Sequence, residues 1–187
     1  MRASGYDRAP NEWYQEPEWC ISALLAAEKF SGTIWDAACG EGNIPEACKK
    51  FGLDAFGTDI VNRGYGECVD FLSSASRSGI SATSIISNPP FSHMQEWADI
   101  GLTIVSDRVA LLGRLAFLEG QSRAPWFDKS PLKTVYVLSK RISMPPGGKE
   151  IVAKGGSIAF AWFVFQRGFS GDATLKRILP LTQRNIS

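Results

Sequence analysis

The sequence predicts an α/β fold built around a mostly parallel sheet. Short β-rich runs alternate with helical segments through the first two thirds of the chain. The first of those runs ends in a small-residue turn that carries glycines. The last two runs follow one another without a helix between them, so the final strand is expected to return antiparallel.

Each element has its own justification. Residues 1–16 hold Gly, Pro and mixed charge and are expected as an N-terminal arm, with 17–187 forming the domain proper. In PEWCISALLAAEKF, Pro17 starts a helix and Trp19, Ile21, Leu24 and Leu25 fall at helical spacing. GTIWDAAC is the first strand. In GEGNIPEACKKFG a helix is bounded by Asn43 as N-cap, Pro45 in the first turn and Gly52 as the stop. LDAFGTDI, GECVDFL and TSIISN read as strands, 94–106 as a helix and RVALLGRLAF as a fifth strand. LKTVYVLSK and SIAFAWFVFQ are late strands, joined by a Gly/Pro/Lys-rich loop over 141–156.

Composition narrows the function classes. The chain has 187 residues, 44% of them apolar and 21% charged, which suits one globular domain. A net charge of +1 means that nucleic-acid binding must come from a local basic patch rather than the overall field. Cys20, Cys39, Cys48 and Cys68 form no CxxC pair and His93 is the lone histidine, which argues against a structural zinc site. The first residues lack the apolar run of a signal peptide, and the longest apolar run, 158–165, is too short for a membrane span. The cysteines are therefore expected as reduced thiols in a cytoplasmic setting, away from any membrane.

The strand ends carry the chemistry, because ligands of open parallel sheets bind outside the carboxyl ends of the strands. The first strand runs into Asp36-Ala-Ala-Cys-Gly40-Glu-Gly42, whose glycines allow a tight turn and close approach to a ligand. A dinucleotide fingerprint needs a third small residue where Pro45 stands, and no GxxxxGK[ST] is present, so a pyrophosphate or nucleoside triphosphate is disfavoured. The second strand ends in Gly57-Thr58-Asp59, an acid placed to accept the hydroxyls of a ribose. The third ends in Asp70-Phe71, a carboxylate for an adenine amino group beside a ring for its face. Together these point to a nucleoside-bearing ligand without a pyrophosphate. The fourth strand runs into Asn88-Pro89-Pro90-Phe91, a rigid corner without backbone donors at its prolines.

DAACGEG, GTDI, VDFL and NPPF together resemble the class I S-adenosylmethionine-dependent methyltransferases, and among them the small phage-type N6-adenine DNA methyltransferases. The glycine motif is matched by Asp36, Cys39, Gly40 and Gly42, with Ala37 in place of the usual proline, and NPPF matches in full. WYQEPEWCISALL is similar to the segment that precedes the glycine motif in these enzymes and helps hold the methionine end. The resemblance implies a Rossmann-like, seven-stranded, mostly parallel sheet with an antiparallel last strand. It implies S-adenosylmethionine bound by Asp36, Ala37, Cys39, Gly40, Gly42, Asp59, Ile60, Asp70, Phe71 and Asn88.

It also implies a mechanism. The lone pair of an exocyclic amine is delocalised into the base, so the nitrogen is a poor nucleophile. The Asn88 side-chain oxygen and the Pro89 carbonyl would accept the two amine hydrogens, Pro90 would stiffen the corner, and Phe91 would stack on the flipped base. His93, Arg141, Lys149 and Lys154 are candidates for contacts to the nucleic acid. The sequence has no Pro-Cys dipeptide, which disfavours cytosine C5 chemistry. Ile142 and Met144 stand where the family often places an aromatic for the second face of the base.

The expected substrate is DNA, with RNA as a variant. A glutamine amide of a protein, or a non-catalytic cofactor-binding partner subunit, is the rival reading. The short stretch between Leu72 and Thr83 and the tail after Gly168 hold no recognition domain, so a short or relaxed target sequence is expected, or one set by a partner subunit. If the chain is phage-encoded, its compartment is the host cytoplasm.

Overall fold

The structure is a computed structural model that describes residues 13–144, 156 and 158–181. Its strands are β1 (Thr33–Asp36), β2 (Asp54–Asp59), β3 (Glu67–Cys68), β4 (Ser84–Ser87), β5 (Arg108–Arg114), β6 (Leu132–Leu138), β7 (Phe160–Gln166) and β8 (Thr174–Ile178). They form one 8-stranded sheet in the order β3-β2-β1-β4-β5-β7-β6-β8. β1, β2, β3, β4 and β5 pair parallel, and β7 runs antiparallel between β5 and β6. The α/β class and the mostly parallel sheet agree with the sequence. The strand count and the final strand differ: β8 is added at the edge, parallel to β6, so the antiparallel strand is the penultimate one.

The sheet is covered on both faces, and alternation along the strands sorts the side chains. Ile34, Ile86, Ala110, Leu112, Trp162 and Val164 face α1 (Glu18–Ala27) and α2 (Asn43–Lys50). Trp35, Ile85, Val109, Leu111, Phe163 and Phe165 face α3 (Met94–Ile104). β7 is buried along nearly its whole length because it is paired on both edges and covered on both faces, which explains its unbroken apolar run. A short α4 (Ala124–Phe127) follows β5. All four cysteines are free thiols. Among the described residues no helix is long and apolar enough to cross a membrane.

Two local expectations change. Asn43 does not cap α2; Gly42, at φ 91°, takes the cap position and Asn43 becomes the first helical residue. The left-handed glycine turns the chain sharply enough that the helix begins one residue early, and Gly52, at φ 76°, follows its end. β3 is also shorter than its β-rich sequence, because the chain turns at Asp70, whose Oδ1 accepts from Leu72 N at 2.9 Å.

A buried polar knot ties the end of α1 to the sheet. Glu28 accepts from Arg108 and, at 2.6 Å, from the Tyr136 hydroxyl. Burial pushes Tyr136 well above the usual phenol range, and the Glu28 carboxylate pushes the same way. Glu28→Ala would leave the Arg108 guanidinium with Asp107 and the Tyr136 hydroxyl with the Ala27 carbonyl as remaining partners, and is expected to cost about 1–3 kcal/mol of stability. Chemical denaturation checks this, with the midpoint moving to lower denaturant at unchanged slope.

Candidate active site

β1, β2 and β4 deliver their carboxyl ends to one rim of the sheet, and a cavity of about 270 Å³ opens there. Its wall includes Ala37, Ala38, Asp59, Ile60, Asp70, Phe71, Asn88, Pro90 and His93, so most of the strand-end residues singled out in the sequence meet in one place.

Asp36 is 1% exposed and lies behind this wall. Its Oδ1 accepts from Ser87 Oγ at 2.7 Å and from Ala38 N at 3.1 Å, which ties the end of β1 to the end of β4. Burial holds its carboxyl well above the usual range against the Ser87 hydrogen bond, and the charges of Glu16 and Asp59 push the same way. Its Oδ2 is buried without a hydrogen-bond partner. Cys39 is likewise structural: its N–H donates to Thr58 O at 2.9 Å, and burial, with the charges of Asp36 and Asp59, pushes its thiol up to about 12. Gly40 and Gly42 shape the turn without lining the cavity. A Cβ on Gly42 would lie 2.3 Å from the Tyr65 ring, and one on Gly40 would lie 2.7 Å from Trp13 Nε1.

Asp59 is the best-held carboxylate of the site. Oδ2 accepts from Gly40 N at 3.0 Å and Oδ1 from Val61 N at 3.0 Å, while Arg63 Nε lies 3.7 Å from Oδ1. These bonds fix its plane and leave lone pairs for a hydroxyl donor. Ile60 is 60% exposed and Leu72 36%, and both border the cavity. They give it apolar sides suited to a flat base, flanked by the carboxylates of Asp59 and Asp70. Phe71 lines the same space but is 2% exposed, its ring stacked 4.0 Å from that of Trp97. Its ring is thus engaged by the core, and Leu72, overlooked in the sequence, presents the free apolar surface.

The donor set fits a nucleoside better than a phosphate ester. Two acids and apolar sides meet here, and Arg63, the one arginine or lysine among the described residues of the wall, is already paired with Asp59. S-adenosylmethionine meets that description, with hydroxyls and an amino group to donate and no phosphate.

Asn88 stands at the end of β4 with all peptide bonds around it trans. Its Nδ2 donates to Tyr14 O at 2.8 Å and to Glu16 Oε2 at 2.8 Å. Its Oδ1 is buried and accepts nothing. Pro90 O accepts from His93 N at 3.0 Å, closing a 3-10 turn over Phe91–His93. His93 is exposed at the cavity, with Nδ1 3.2 Å from Glu96 Oε2. Phe91 does not line the cavity. Its ring lies parallel to Tyr14 at 6.0 Å, packs on Phe160 at 5.7 Å, and carries the Arg114 guanidinium at 5.2 Å.

Residues 13–16, expected as the end of an arm and by resemblance as part of the segment that helps hold the methionine end, supply contacts that the sequence did not assign residue by residue. Trp13 lines the cavity and its ring lies 3.9 Å from the Arg63 guanidinium. Tyr14 and Glu16 hold Asn88, and Gln15 Nε2 donates to Glu41. The strap thus crosses from the glycine turn to the diprolyl corner. Burial pushes the Glu16 carboxyl up to about 7, opposed by the hydrogen bond from Asn88. The signal was present in WYQEP, but nothing local in those residues says which strand ends they reach.

The remaining candidates lie elsewhere. Arg141 is exposed after β6 and is not part of the cavity wall, and Lys149 and Lys154 fall outside the described residues. Ile142 and Met144 are 2% and 8% exposed and belong to the core beside α1, so neither offers a face to a base.

No protein-family model and no curated protein matches the chain. Solved structures do. A protein of Pyrococcus horikoshii assigned as an RNA methyltransferase aligns with TM-score 0.61 at 13% identity, over 84% of this chain and 87% of its own. The M protein of the type I restriction enzyme EcoKI aligns with TM-score 0.60 at 14% identity, over 94% of this chain and 52% of its own. TrmN from Thermus thermophilus aligns with TM-score 0.52 at 17% identity, over 79% of this chain and 48% of its own. The chain therefore spans about half the length of the last two. The parallel sheet with one antiparallel strand slotted in near its end thus gives this chain a fold that it shares with methyltransferases that differ from it in most of their residues: its fold is the class I methyltransferase fold.

Proposed function

We propose that the protein transfers a methyl group from S-adenosylmethionine to the N6 amino group of adenine in DNA. The observation that carries this reading is Asn88, a residue of the cavity wall: its amide hydrogens are both taken, and its buried oxygen has no hydrogen-bond partner. A buried, unpaired acceptor is costly unless a ligand satisfies it. An amine hydrogen is such a donor.

The residues divide the work by position. Asp59 takes the ribose hydroxyls, Ile60 and Leu72 hold the adenine faces, and Asp70 accepts from its amino group. When bound, the cofactor supplies a methyl group made electrophilic by its sulfonium. Asn88 Oδ1, with the Pro89 carbonyl as second acceptor, draws the target nitrogen toward a tetrahedral shape and aims its lone pair at that methyl. The surplus proton of the methylated amine would leave from the Asn88 corner to solvent, the electron pair of the broken S–C bond staying with the cofactor as its neutral thioether. The prolines prevent the acceptors from relaxing, so their dipoles are aligned before the reaction begins. Phe91, through its stack with Tyr14 and Arg114, supports the corner.

The reading is tested by offering labelled cofactor to the protein with DNA, RNA and protein substrates in parallel, then mapping N6-methyladenine on DNA co-expressed with it. Label in DNA adenine within a short or relaxed sequence context is expected. Label confined to RNA, or to a glutamine amide, would move the assignment, since a planar amide nitrogen poses the same lone-pair problem. Asp59→Ala is expected to weaken cofactor binding by about 1.5–3 kcal/mol, the worth of hydrogen bonds to a charged group. Calorimetry measures it, and unchanged affinity would remove the ribose assignment.

A further inference from the structure

We propose that Glu16 is a positioning residue: by accepting one hydrogen of the Asn88 amide while the Tyr14 carbonyl accepts the other, it fixes Asn88 with its oxygen, and not its nitrogen, presented to substrate. The inference rests on the amino-methylation reading above and deepens it. An asparagine amide has nearly the same shape either way round, and a half-turn exchanges an acceptor for two donors. What Asn88 offers is therefore decided by its neighbours. Both groups that face Nδ2, at 2.8 Å each, are acceptors. With the Glu16 carboxyl ionised, turning the amide round would set Oδ1 against two oxygens, losing both bonds.

Glu16 is itself well anchored for this task. It is 9% exposed, its backbone carbonyl accepts from Asn43 Nδ2 at 3.4 Å, and Pro17 restricts its backbone. α2 and the start of α1 thus hold the carboxyl that holds Asn88. The consequence is selectivity. A fixed acceptor oxygen admits a substrate edge that brings an N–H, and repels a ring nitrogen or a carbonyl oxygen. Glu16 acts through Asn88 in choosing amines.

The test compares full-length Glu16→Ala and Glu16→Gln. Glutamine keeps an acceptor oxygen at the same reach, whereas alanine removes it. Glu16→Ala is expected to lower kcat about 10–100-fold, the usual effect of losing an outer partner that orients a working group, with KM for DNA within about threefold of wild type. Glu16→Gln should restore most of kcat. Equal loss in both variants, or full activity in Glu16→Ala, would overturn the proposal.

A second readout needs no turnover. In ¹⁵N-labelled protein the Asn88 side-chain amide signals, identified by their absence in Asn88→Ala, should exchange slowly with water, and one hydrogen should lose protection in Glu16→Ala but keep it in Glu16→Gln. Unchanged protection in Glu16→Ala removes the positioning role whatever the activity. If wild type leaves adenine unmethylated while the protection changes as expected, the contact stands and the amino-methylation reading falls.

Discussion

Asn88→Ala is expected to abolish turnover while leaving S-adenosylmethionine binding nearly intact. The two effects separate because the acids and apolar sides proposed to hold the cofactor, Asp59, Ile60, Asp70 and Leu72, come from the ends of β2 and β3, whereas Asn88 comes from β4. Loss of one preorganised acceptor or donor typically costs ~10²–10³ in rate. The variant also strands Glu16 and the Tyr14 carbonyl without their shared donor, so a stability loss of about 1 kcal/mol should accompany it. Measuring melting temperature beside activity keeps the two apart. Asn88→Asp is the stricter comparison: it retains an acceptor of the same size but turns a second oxygen toward Tyr14 O and Glu16. It too should fail. An active Asn88→Ala enzyme would remove the proposed chemistry outright.

Gly66→Ala should unfold the cofactor side of the site. Gly66 sits at φ 69°, and a Cβ there would lie 2.0 Å from the Gly57 carbonyl oxygen, a backbone atom of β2 that has no rotamer to escape into. β3 would have to leave β2, breaking the Thr58–Glu67 and Asp59–Cys68 pairing and the 2.9 Å bond from Val69 N to Asp59 O. A cost of roughly 3–5 kcal/mol follows, which lowers the melting temperature by roughly 10 °C in a chain of this size. Cofactor affinity should fall with it, because Asp59 and Asp70 flank the displaced strand. Gly64→Ala is the control. Gly64 has φ 90° but nothing within 4 Å of its Cβ position, so only left-handed backbone strain, about 1–2 kcal/mol, is lost. Equal effects at the two positions would show that the close approach of β3 to β2 is unimportant.

Features whose cause is local were legible in the sequence. Alternation in Ile34-Trp35 and Ile85-Ile86 reports a sheet covered on both faces, and the unbroken run of β7 reports its buried slot. The glycines of the first turn and Asp59 announced the rim where the cavity opens. What stayed hidden depends on distant partners. β8 was missed because Thr174–Ile178 is exposed along all but its last residue, which leaves TLKRI no inside-outside pattern. Glu16 and Tyr14 reach Asn88 across 72 and 74 positions, and neither residue type advertises that reach. Phe71 and Leu72 exchange the roles their chemistry suggests, since Trp97 of α3 claims the phenyl ring and leaves the leucine exposed.

The placement of β7 has a consequence for how the chain emerges from the ribosome. Every strand that frames the cavity is made before it, and β5 and β6 must wait for a strand synthesised after both to be slotted between them. Until then the inner edge of β5, with Val109, Ala110, Leu111 and Leu112, offers unpaired backbone beside apolar side chains, an invitation to intermolecular pairing. Nascent chains stalled before Phe160 are therefore expected to be the form most open to such pairing, and release of the β7 segment from the exit tunnel is the moment at which β5 and β6 can be joined.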